Sequence, residues 1–432
     1  MSVGTGALGV LVLFVLLILR LPVALALIAV SFGGVTLLLG VTPAIGILAN
    51  TPYSFVANWT LSAVPMFLFM GFIAYHAGLT GGLFEAAKAV LRRIPGALAI
   101  SSVFACSGFA AVCGSSLATA AAMGRIAIPE MVRAGYAPSF AAGAVAAGGT
   151  IGALIPPSIL MIVYGVFAET SVLKVFAGGV SVGVLTALSY AILVLLTSWL
   201  RPDLVPPRPL GDAPPAGRAL LAIWPVLLLM LLVFGGLFTG TFTATEAGAM
   251  GAAGALVISL AARRLTWAAF RAALVETLVT SASLFIIGVG AAMFTRFLGL
   301  TGLTSFISSA VGGAELGYWQ LMLMIVLLYL ALGMFMEPFG ALLVTLPVLL
   351  PILKAEGIDL VWFGVLVVKL LEIGMITPPV GLNVFVIRNV AGEYASVVQI
   401  FRGVAPFVLA DLAVVALIVA APAIVLALPA LI

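Results

Sequence analysis

The sequence predicts an all-α polytopic membrane protein, built as an inverted repeat with two re-entrant helical hairpins and two broken transmembrane helices. Of its 432 residues, 64% are hydrophobic and only 7% are charged, whereas soluble domains carry about 25% charged residues. The apolar runs are long and continuous, which favours helices over the alternating strands of a membrane barrel. Glycines and prolines recur at a spacing of 222 residues, and such self-similarity indicates duplication.

The same composition excludes several classes of protein. So few charges cannot coat a soluble enzyme, and so many apolar residues argue against a disordered chain. Two cysteines are too few for a disulfide scaffold. The net charge of +4 indicates basic loops at the cytoplasmic face of a lipid bilayer and no nucleic-acid partner.

The N-terminal region, 1–94, contains apolar runs at 6–19, 22–40 and 54–77. An amphipathic stretch with three positive charges follows at 81–94. Its pattern predicts a helix that lies in the cytoplasmic membrane interface.

The next region, 95–199, begins with 33 residues between Pro95 and Pro129. Two arms of about 16 residues would each reach roughly 24 Å, which is less than the ~30 Å hydrocarbon core. This length predicts a hairpin that enters and leaves by one side, with its break at 113–116. The following apolar run, 138–168, contains GTIGALIPPS at 149–158, where two prolines predict a broken helix.

The second half repeats this order after a proline-rich linker at 200–218. Region 219–316 contains three apolar runs. Region 317–432 then begins with another 33 residues between Gly317 and Pro351, broken at 336–338, and GMITPPVGLN follows at 374–383. A shift of 222 aligns Pro129 with Pro351, Gly152 with Gly374, Pro156 with Pro378, and Pro157 with Pro379.

The orientation of the chain follows from its crossings and its basic residues. Five predicted crossings separate Pro129 from Pro351, and this odd number inverts the second copy, as in secondary transporters. With the N-terminus outside, 14 of the 18 Lys and Arg residues lie on the cytoplasmic side. Hairpin one then opens from the cytoplasmic side and hairpin two from the outer side.

The candidate ligands are oxygens at the hairpin tips and helix breaks, where freed backbone groups at membrane depth need partners. Hydroxyls, a carboxylate, an amide and carbonyls suit Na⁺, and helix N-termini suit an anionic substrate. In the alternative interpretation, the prolines only kink the helices and the hydroxyls bond to neighbouring carbonyls. The candidate residues are Ser115, Ser116 and Thr119 at tip one, Thr150 and Ser158 at break one, Glu337 at tip two, and Thr377, Gly381 and Asn383 at break two.

Other polar residues receive simpler interpretations. Lys369 and Glu372 lie three residues apart on one helix, so we expect them to pair. Glu246 is expected to cap a helix. A single histidine, His76, cannot form a metal site, and nothing supports its pairing with a serine in an intramembrane hydrolase. Cys106 and Cys113 are expected to be small buried thiols.

Several motifs together resemble one family over nearly the whole chain. These are SAVPMFLFMG, CGSS, AAGGTIGALIPPSILMIVYG, GMFMEP and ITPPVGLNVFVI. They resemble the large membrane subunit of the tripartite ATP-independent periplasmic (TRAP) transporters. The resemblance implies an elevator-type secondary transporter of the ion-transporter superfamily in the bacterial inner membrane, with its N-terminus periplasmic. Sodium would enter with a small organic acid such as a C4-dicarboxylate or a sialic acid.

The resemblance also implies partners and roles. The partners would be a small four-helix membrane subunit, expected here as a separate chain, and a periplasmic substrate-binding protein. Regions 1–94 and 219–316 would form a scaffold, and the hairpins and broken helices of 95–199 and 317–432 would move. No cofactor other than the coupling Na⁺ is expected. Carried over by motif, the binding positions are Gly114, Ser115 and Ser116 with Gly149, Thr150, Pro156 and Pro157, and Glu337 with Thr377, Pro378, Pro379 and Gly381.

Two departures from the family pattern and three alternatives accompany this interpretation. Many relatives have Ser-Gly-Ser where this chain has 112–114, and some have Asp in place of Glu337. Within the same superfamily, a stand-alone sodium/divalent-anion symporter would need no binding protein. A non-transporting membrane assembly subunit would lack a sodium response, and an intramembrane hydrolase would be an enzyme, which we do not expect.

Overall fold

A computed structural model describes residues 3–206, 216–313 and 317–432, and in these ranges the chain is helical with no strands. The helices of the first half are α1 Val3–Ile18, α2 Val23–Leu39, α3 Val41–Val56, α4 Ala63–His76, α5 Leu83–Leu91, α6 Ala97–Cys113, α7 Ser116–Arg133, α8 Pro138–Thr150, α9 Ile159–Phe167 and α10 Val172–Leu200. Those of the second half are α11 Ala216–Ala222, α12 Trp224–Phe238, α13 Ala244–Ala261, α14 Trp267–Thr301, α15 Leu303–Gly313, α16 Tyr318–Phe335, α17 Pro338–Ala355, α18 Leu360–Gly374, α19 Leu382–Ala391, α20 Val397–Ala420 and α21 Ala423–Leu426.

The surface of these helices fits a lipid environment. In the described ranges, seven helices are long and apolar enough to cross a membrane. Exposed tryptophans lie at or near helix ends, which is the placement typical of aromatic residues at a membrane interface. They are Trp59, Trp199, Trp224, Trp267 and Trp319.

Both predicted hairpins are present. The helices α6 and α7 form hairpin one, and α16 and α17 form hairpin two. The breaks fall at Gly114–Ser115 and at Met336–Glu337, within the predicted segments. The arms contain 17 or 18 residues, slightly more than expected, because helical structure continues to the edge of each turn.

Both predicted broken helices are also present. The first consists of α8 and α9, separated by 151–158, and the second of α18 and α19, separated by 375–381. The bonds Pro156–Pro157 and Pro378–Pro379 are both cis. The order hairpin, broken helix, long helix therefore occurs twice, which confirms the predicted repeat.

The packing of the two halves is reciprocal. Helix α4 of the first half packs on α13, and α14 of the second half packs on α2. Helix α8 packs on α20, and α18 packs on α10. At Gly403 a Cβ atom would lie 1.8 Å from the Ser139 carbonyl oxygen, so α8 and α20 touch through their backbones. Each half thus completes the core of the other.

Some elements differ from the sequence prediction or lie outside it. Helix α14 has 35 residues, because apolar and helix-favouring residues continue beyond the predicted crossing at 277–297. The interfacial stretch 81–94 contains α5, and Lys88 of α5 forms an ion pair with Glu130 of hairpin one. Helices α3 and α15 were not anticipated. Residues 207–215 of the predicted linker at 200–218 lie outside the described residues.

Candidate transport site

The two hairpin tips share a local geometry. Ser115 is the N-cap of α7, and its Oγ accepts a hydrogen bond from the Ala118 N–H at 3.4 Å. Glu337, which the shift of 222 places on Ser115, is the N-cap of α17, and its Oε1 accepts from the Phe339 N–H at 3.4 Å. Each tip therefore presents an oxygen-bearing side chain at the positive end of a helix.

The first tip lies directly on the first break. A Cβ atom on Gly114 would lie 2.3 Å from the Pro157 carbonyl oxygen, and Gly114 has a φ of +60°. Only glycine satisfies both the close approach and the left-handed backbone. Gly149 faces the Ser116 backbone in the same way, since its Cβ would lie 3.2 Å from the Ser116 carbonyl oxygen. Tip and break form one tightly packed unit.

The hydroxyls of this first unit are nearly all buried. Thr119, Thr150 and Ser158 are at most 1% exposed. Thr119 donates to the Ser115 carbonyl at 2.8 Å, and Thr150 donates to the Ala147 carbonyl at 2.7 Å. Ser158 Oγ accepts from the Met161 N–H at 3.4 Å and caps α9. The Thr150 hydroxyl also hydrogen-bonds to Tyr190 of α10. Each of the three hydroxyls keeps acceptor capacity beyond these bonds.

The second break is more open. Pro378 and Pro379 are exposed, whereas Pro156 and Pro157 are buried. Thr377 donates to the Ile373 carbonyl at 2.6 Å. Asn383 is buried, and its Nδ2 donates to the Ala146 carbonyl of α8 at 3.4 Å. Gly381 precedes α19 with a φ of +59°.

A cavity of about 480 Å³ lies between the two tips. Its polar lining includes Ser115 and Ser116 of tip one, Glu337 of tip two, and Glu372 near the end of α18. The opposite wall is formed by α4, with Leu68 and Phe72, and by the middle of α14, from Val279 to Ile287. Its size is within the range of small-molecule sites.

The structure brings only part of the predicted site to this cavity. Gly114, Ser115, Ser116 and Glu337 line it. The other candidates lie behind this lining or at the second break: Thr119, Gly149, Thr150, Pro156, Pro157, Ser158, Thr377, Pro378, Pro379, Gly381 and Asn383. Their role as ligands stays a prediction.

The buried charges are arranged differently from our expectation. The predicted pairing of Lys369 with Glu372 is wrong, since Lys369 Nζ lies 2.5 Å from Asp411 Oδ1 of α20. The Tyr190 hydroxyl of α10 donates to Asp411 Oδ2 at 2.7 Å. Glu372 instead lines the cavity, so sequence reasoning missed it as a site residue. A signal existed, because the shift of 222 aligns Thr150 with Glu372.

The remaining polar candidates have structural roles. Glu246 and Thr243 form a reciprocal capping box at the start of α13, as expected. His76 Nε2 of α4 lies 3.2 Å from Glu276 Oε2 of α14. Its partner is thus this carboxylate and not a serine of hairpin one. Cys106 and Cys113 are free and buried. Among the described residues, no group of three or more His, Cys, Asp or Glu side chains forms a metal cluster.

Paired hairpins, paired broken helices and a cavity between them define a multi-pass membrane transporter of the inverted-repeat class. Residues 10–424 match the profile of the tripartite ATP-independent periplasmic transporter, DctM component. The chain belongs to this family, so it is a transporter permease and not an enzyme.

Individual relatives agree over most of the chain. The C4-dicarboxylate TRAP transporter large permease protein DctM of Pseudomonas aeruginosa is 36% identical over 92% of each chain. The sialic acid TRAP transporter large permease protein SiaM of Vibrio cholerae is 32% identical over 96% of each chain. Among solved structures, the YdaH transporter of Alcanivorax borkumensis has a similar fold, with a TM-score of 0.64, 15% identity and 88% of each chain covered.

Proposed function

We propose that this chain is the translocating subunit of a sodium-coupled importer that carries a small organic acid across the inner membrane. The substrate class would be a carboxylate, such as the C4-dicarboxylate or sialic acid in the names of its relatives. The observation that carries the proposal is the cavity where both hairpin tips meet. Oxygen ligands and helix N-termini converge there, which suits a cation and an anion together.

The residues of the cavity would bind different ligands. Ser115 and Ser116, with Thr150 behind them, would form one sodium site of hydroxyl and carbonyl oxygens. Glu337 would ligate a second Na⁺ with help from Thr377. The N-terminus of α7 would face the substrate carboxylate, because its unpaired N–H groups and dipole favour negative charge. Bound Na⁺ would offset the negative charge of Glu337.

The movement would separate two groups of helices. Helices α4 and α14 form the far wall of the cavity and pack on α13 and α2, so we assign them to the scaffold. The hairpins, the broken helices, α10 and α20 pack on each other, and we assign them to an elevator that carries the cavity across the membrane. The N-terminus would face the periplasm, as the distribution of Lys and Arg favours.

Two partners would complete the system. The family profile describes one component of a tripartite periplasmic transporter. We therefore propose that a small four-helix membrane subunit binds the scaffold and that a periplasmic binding protein delivers the acid. Delivery at the outer face would then determine much of the substrate preference.

The test is uptake into liposomes. The chain would be reconstituted with its small subunit and binding protein, each omitted in turn, and offered a panel of labelled organic acids with and without an inward Na⁺ gradient. We expect uptake only with all three proteins and Na⁺. Sodium-driven uptake by the chain alone would instead favour a stand-alone symporter. Uptake that is indifferent to Na⁺ would overturn the proposed coupling.

A further inference from the structure

A buried ion pair lies behind the transport cavity. Lys369 and Asp411 are each fully buried, and the Lys369 ammonium lies 2.5 Å from the Asp411 carboxylate. The Tyr190 hydroxyl donates to the other Asp411 oxygen at 2.7 Å. Side chains from three helices, α18, α20 and α10, thus form this buried group, and both Asp411 oxygens have a partner. Such charges at membrane depth usually have a functional reason.

Glu372 is the one other charged residue of α18, and it is not satisfied in this way. It is 1% exposed, and its Oε2 has no hydrogen-bond partner within the described ranges. The Ser116 hydroxyl of tip one interacts with the same carboxylate. Both residues line the cavity. A buried carboxylate with a free oxygen is costly unless a ligand completes it.

The repeat supplies an independent argument. Thr150, the last residue of α8, is a candidate sodium ligand in the first repeat, and Glu372 occupies the corresponding position on α18. The end of α8 meets hairpin one through Gly149, which contacts the Ser116 backbone, and α18 meets it through Glu372, which interacts with the Ser116 side chain. The corresponding ends of the two broken helices therefore both meet Ser116 of one tip, and each carries an oxygen-bearing side chain at the same position of the repeat.

The nearest cation could have neutralised Glu372. Lys369 lies three residues before it on the same helix, which is the spacing of a favourable ion pair. The Lys369 ammonium instead forms its ion pair with Asp411, whose other oxygen accepts from the Tyr190 hydroxyl, and it acts on Glu372 only through the longer-range electrostatic interaction. We propose that Glu372, with Ser116, is a further sodium ligand of the transport cavity. Asp411 is then a positioning residue that keeps Lys369 from forming an ion pair with Glu372. This inference rests on the proposed sodium coupling and deepens it.

The direct test measures sodium binding without transport. Purified protein in lipid nanodiscs would be heated in NaCl or in choline chloride at equal ionic strength, and the Na⁺ concentration for half-maximal thermal stabilisation would be determined. We expect Glu372→Gln to raise this concentration by about 10-fold to 100-fold, the cost typical of disturbing a metal site. The matched control Glu356→Gln, at an exposed carboxylate, should behave as the wild type. A wild-type response in Glu372→Gln would overturn the inference.

A second pair of variants tests the role of Asp411. In Asp411→Asn, Lys369 loses its partner and should turn to Glu372, so the sodium response should weaken as it does in Glu372→Gln. In Asp411→Asn with Lys369→Met, no ammonium competes, so the sodium response should return toward the wild-type value. A merely structural pair would show no such rescue. If Asp411→Asn does not fold, the decision rests on the double variant and Glu372→Gln.

The outcomes separate this inference from the proposed function. A wild-type protein that Na⁺ does not stabilise, and whose uptake ignores Na⁺, contradicts the sodium coupling itself. If Na⁺ stabilises the wild-type protein but not the Asp411→Asn, Lys369→Met double variant, only the proposed role of Asp411 is contradicted. Loss of the response in Glu372→Gln and its return in the double variant support the inference.

Discussion

The two repeats use the same local devices in different surroundings. In the first, the tip touches the break through Gly114 and Pro157, and the two prolines are buried. In the second, the closest contact lies farther from the tip, between Gly333 and Gly374, and the prolines are exposed. Duplication therefore preserved the caps and breaks, while tertiary packing decided which break is covered. The following predictions test this contrast, from the largest expected effect to the smallest.

Of the aligned glycines Gly152 and Gly374, Gly374 should tolerate an added side chain less well. A Cβ atom at Gly374 would lie 2.4 Å from Gly333 backbone atoms, whereas one at Gly152 would lie 3.2 Å from the Ser116 Cα. We expect Gly374→Ala to lower the free energy of unfolding by about 3 kcal/mol and Gly152→Ala by at most about 1 kcal/mol. Reversible unfolding in mixed micelles would measure both, and equal losses would remove the contrast between the repeats.

The capping residues Ser115 and Glu337 should differ in their effect on transport. A carboxylate contributes a full charge to a sodium site, whereas a hydroxyl contributes a dipole. We expect Glu337→Gln to raise the half-saturating Na⁺ concentration for uptake by about 100-fold and to lower sodium cooperativity, and Ser115→Ala to raise that concentration by about 10-fold. Uptake titrations against Glu356→Gln would show this. Unchanged sodium dependence in both variants would contradict the site assignment.

The break hydroxyls Ser158 and Thr377 should separate stability from sodium binding. Ser158 caps α9 through the Met161 N–H, so Ser158→Ala should lower the free energy of unfolding by about 1 kcal/mol. Thr377 lies in the second break and donates to the Ile373 carbonyl near the end of α18, so it caps no helix N-terminus. Thr377→Ala should therefore change stability by less than about 0.5 kcal/mol while weakening the sodium dependence of uptake. The reverse order of stabilities would contradict the capping argument.

Chemical labelling should show the same contrast with the least disturbance. Ser158 is fully buried, whereas Val380, its counterpart at the shift of 222, is partly exposed beside Pro379. A membrane-impermeant maleimide should label Val380→Cys faster than Ser158→Cys. Cys106 and Cys113 are both buried and should react slowly. Equal labelling rates would mean that another surface covers the second break in the membrane.

Much of the fold was predictable because glycine and proline act locally. The prolines at 156–157 and 378–379 remove backbone donors wherever the chain goes, so the breaks appear where the sequence places them. Lys369 was different. Its partner Asp411 lies 42 residues away, and helix periodicity shows only neighbours one turn apart. Of the candidate site, the two tips were predictable, whereas Glu372 and the exposure of the second break depend on packing between distant segments.

The Lys369–Asp411 pair also bears on how the protein is made. Helix α18 has only 15 residues and carries Lys369, and a charge at the centre of a helix costs about 2.5–3.5 kcal/mol on the insertion scale. Its neutralising partner is synthesised later, on α20. During biosynthesis, α18 by itself would partition poorly from the translocon into the bilayer. Its stable integration should therefore wait until α20 has been synthesised. The second repeat would therefore be the last part of the protein to mature in the membrane.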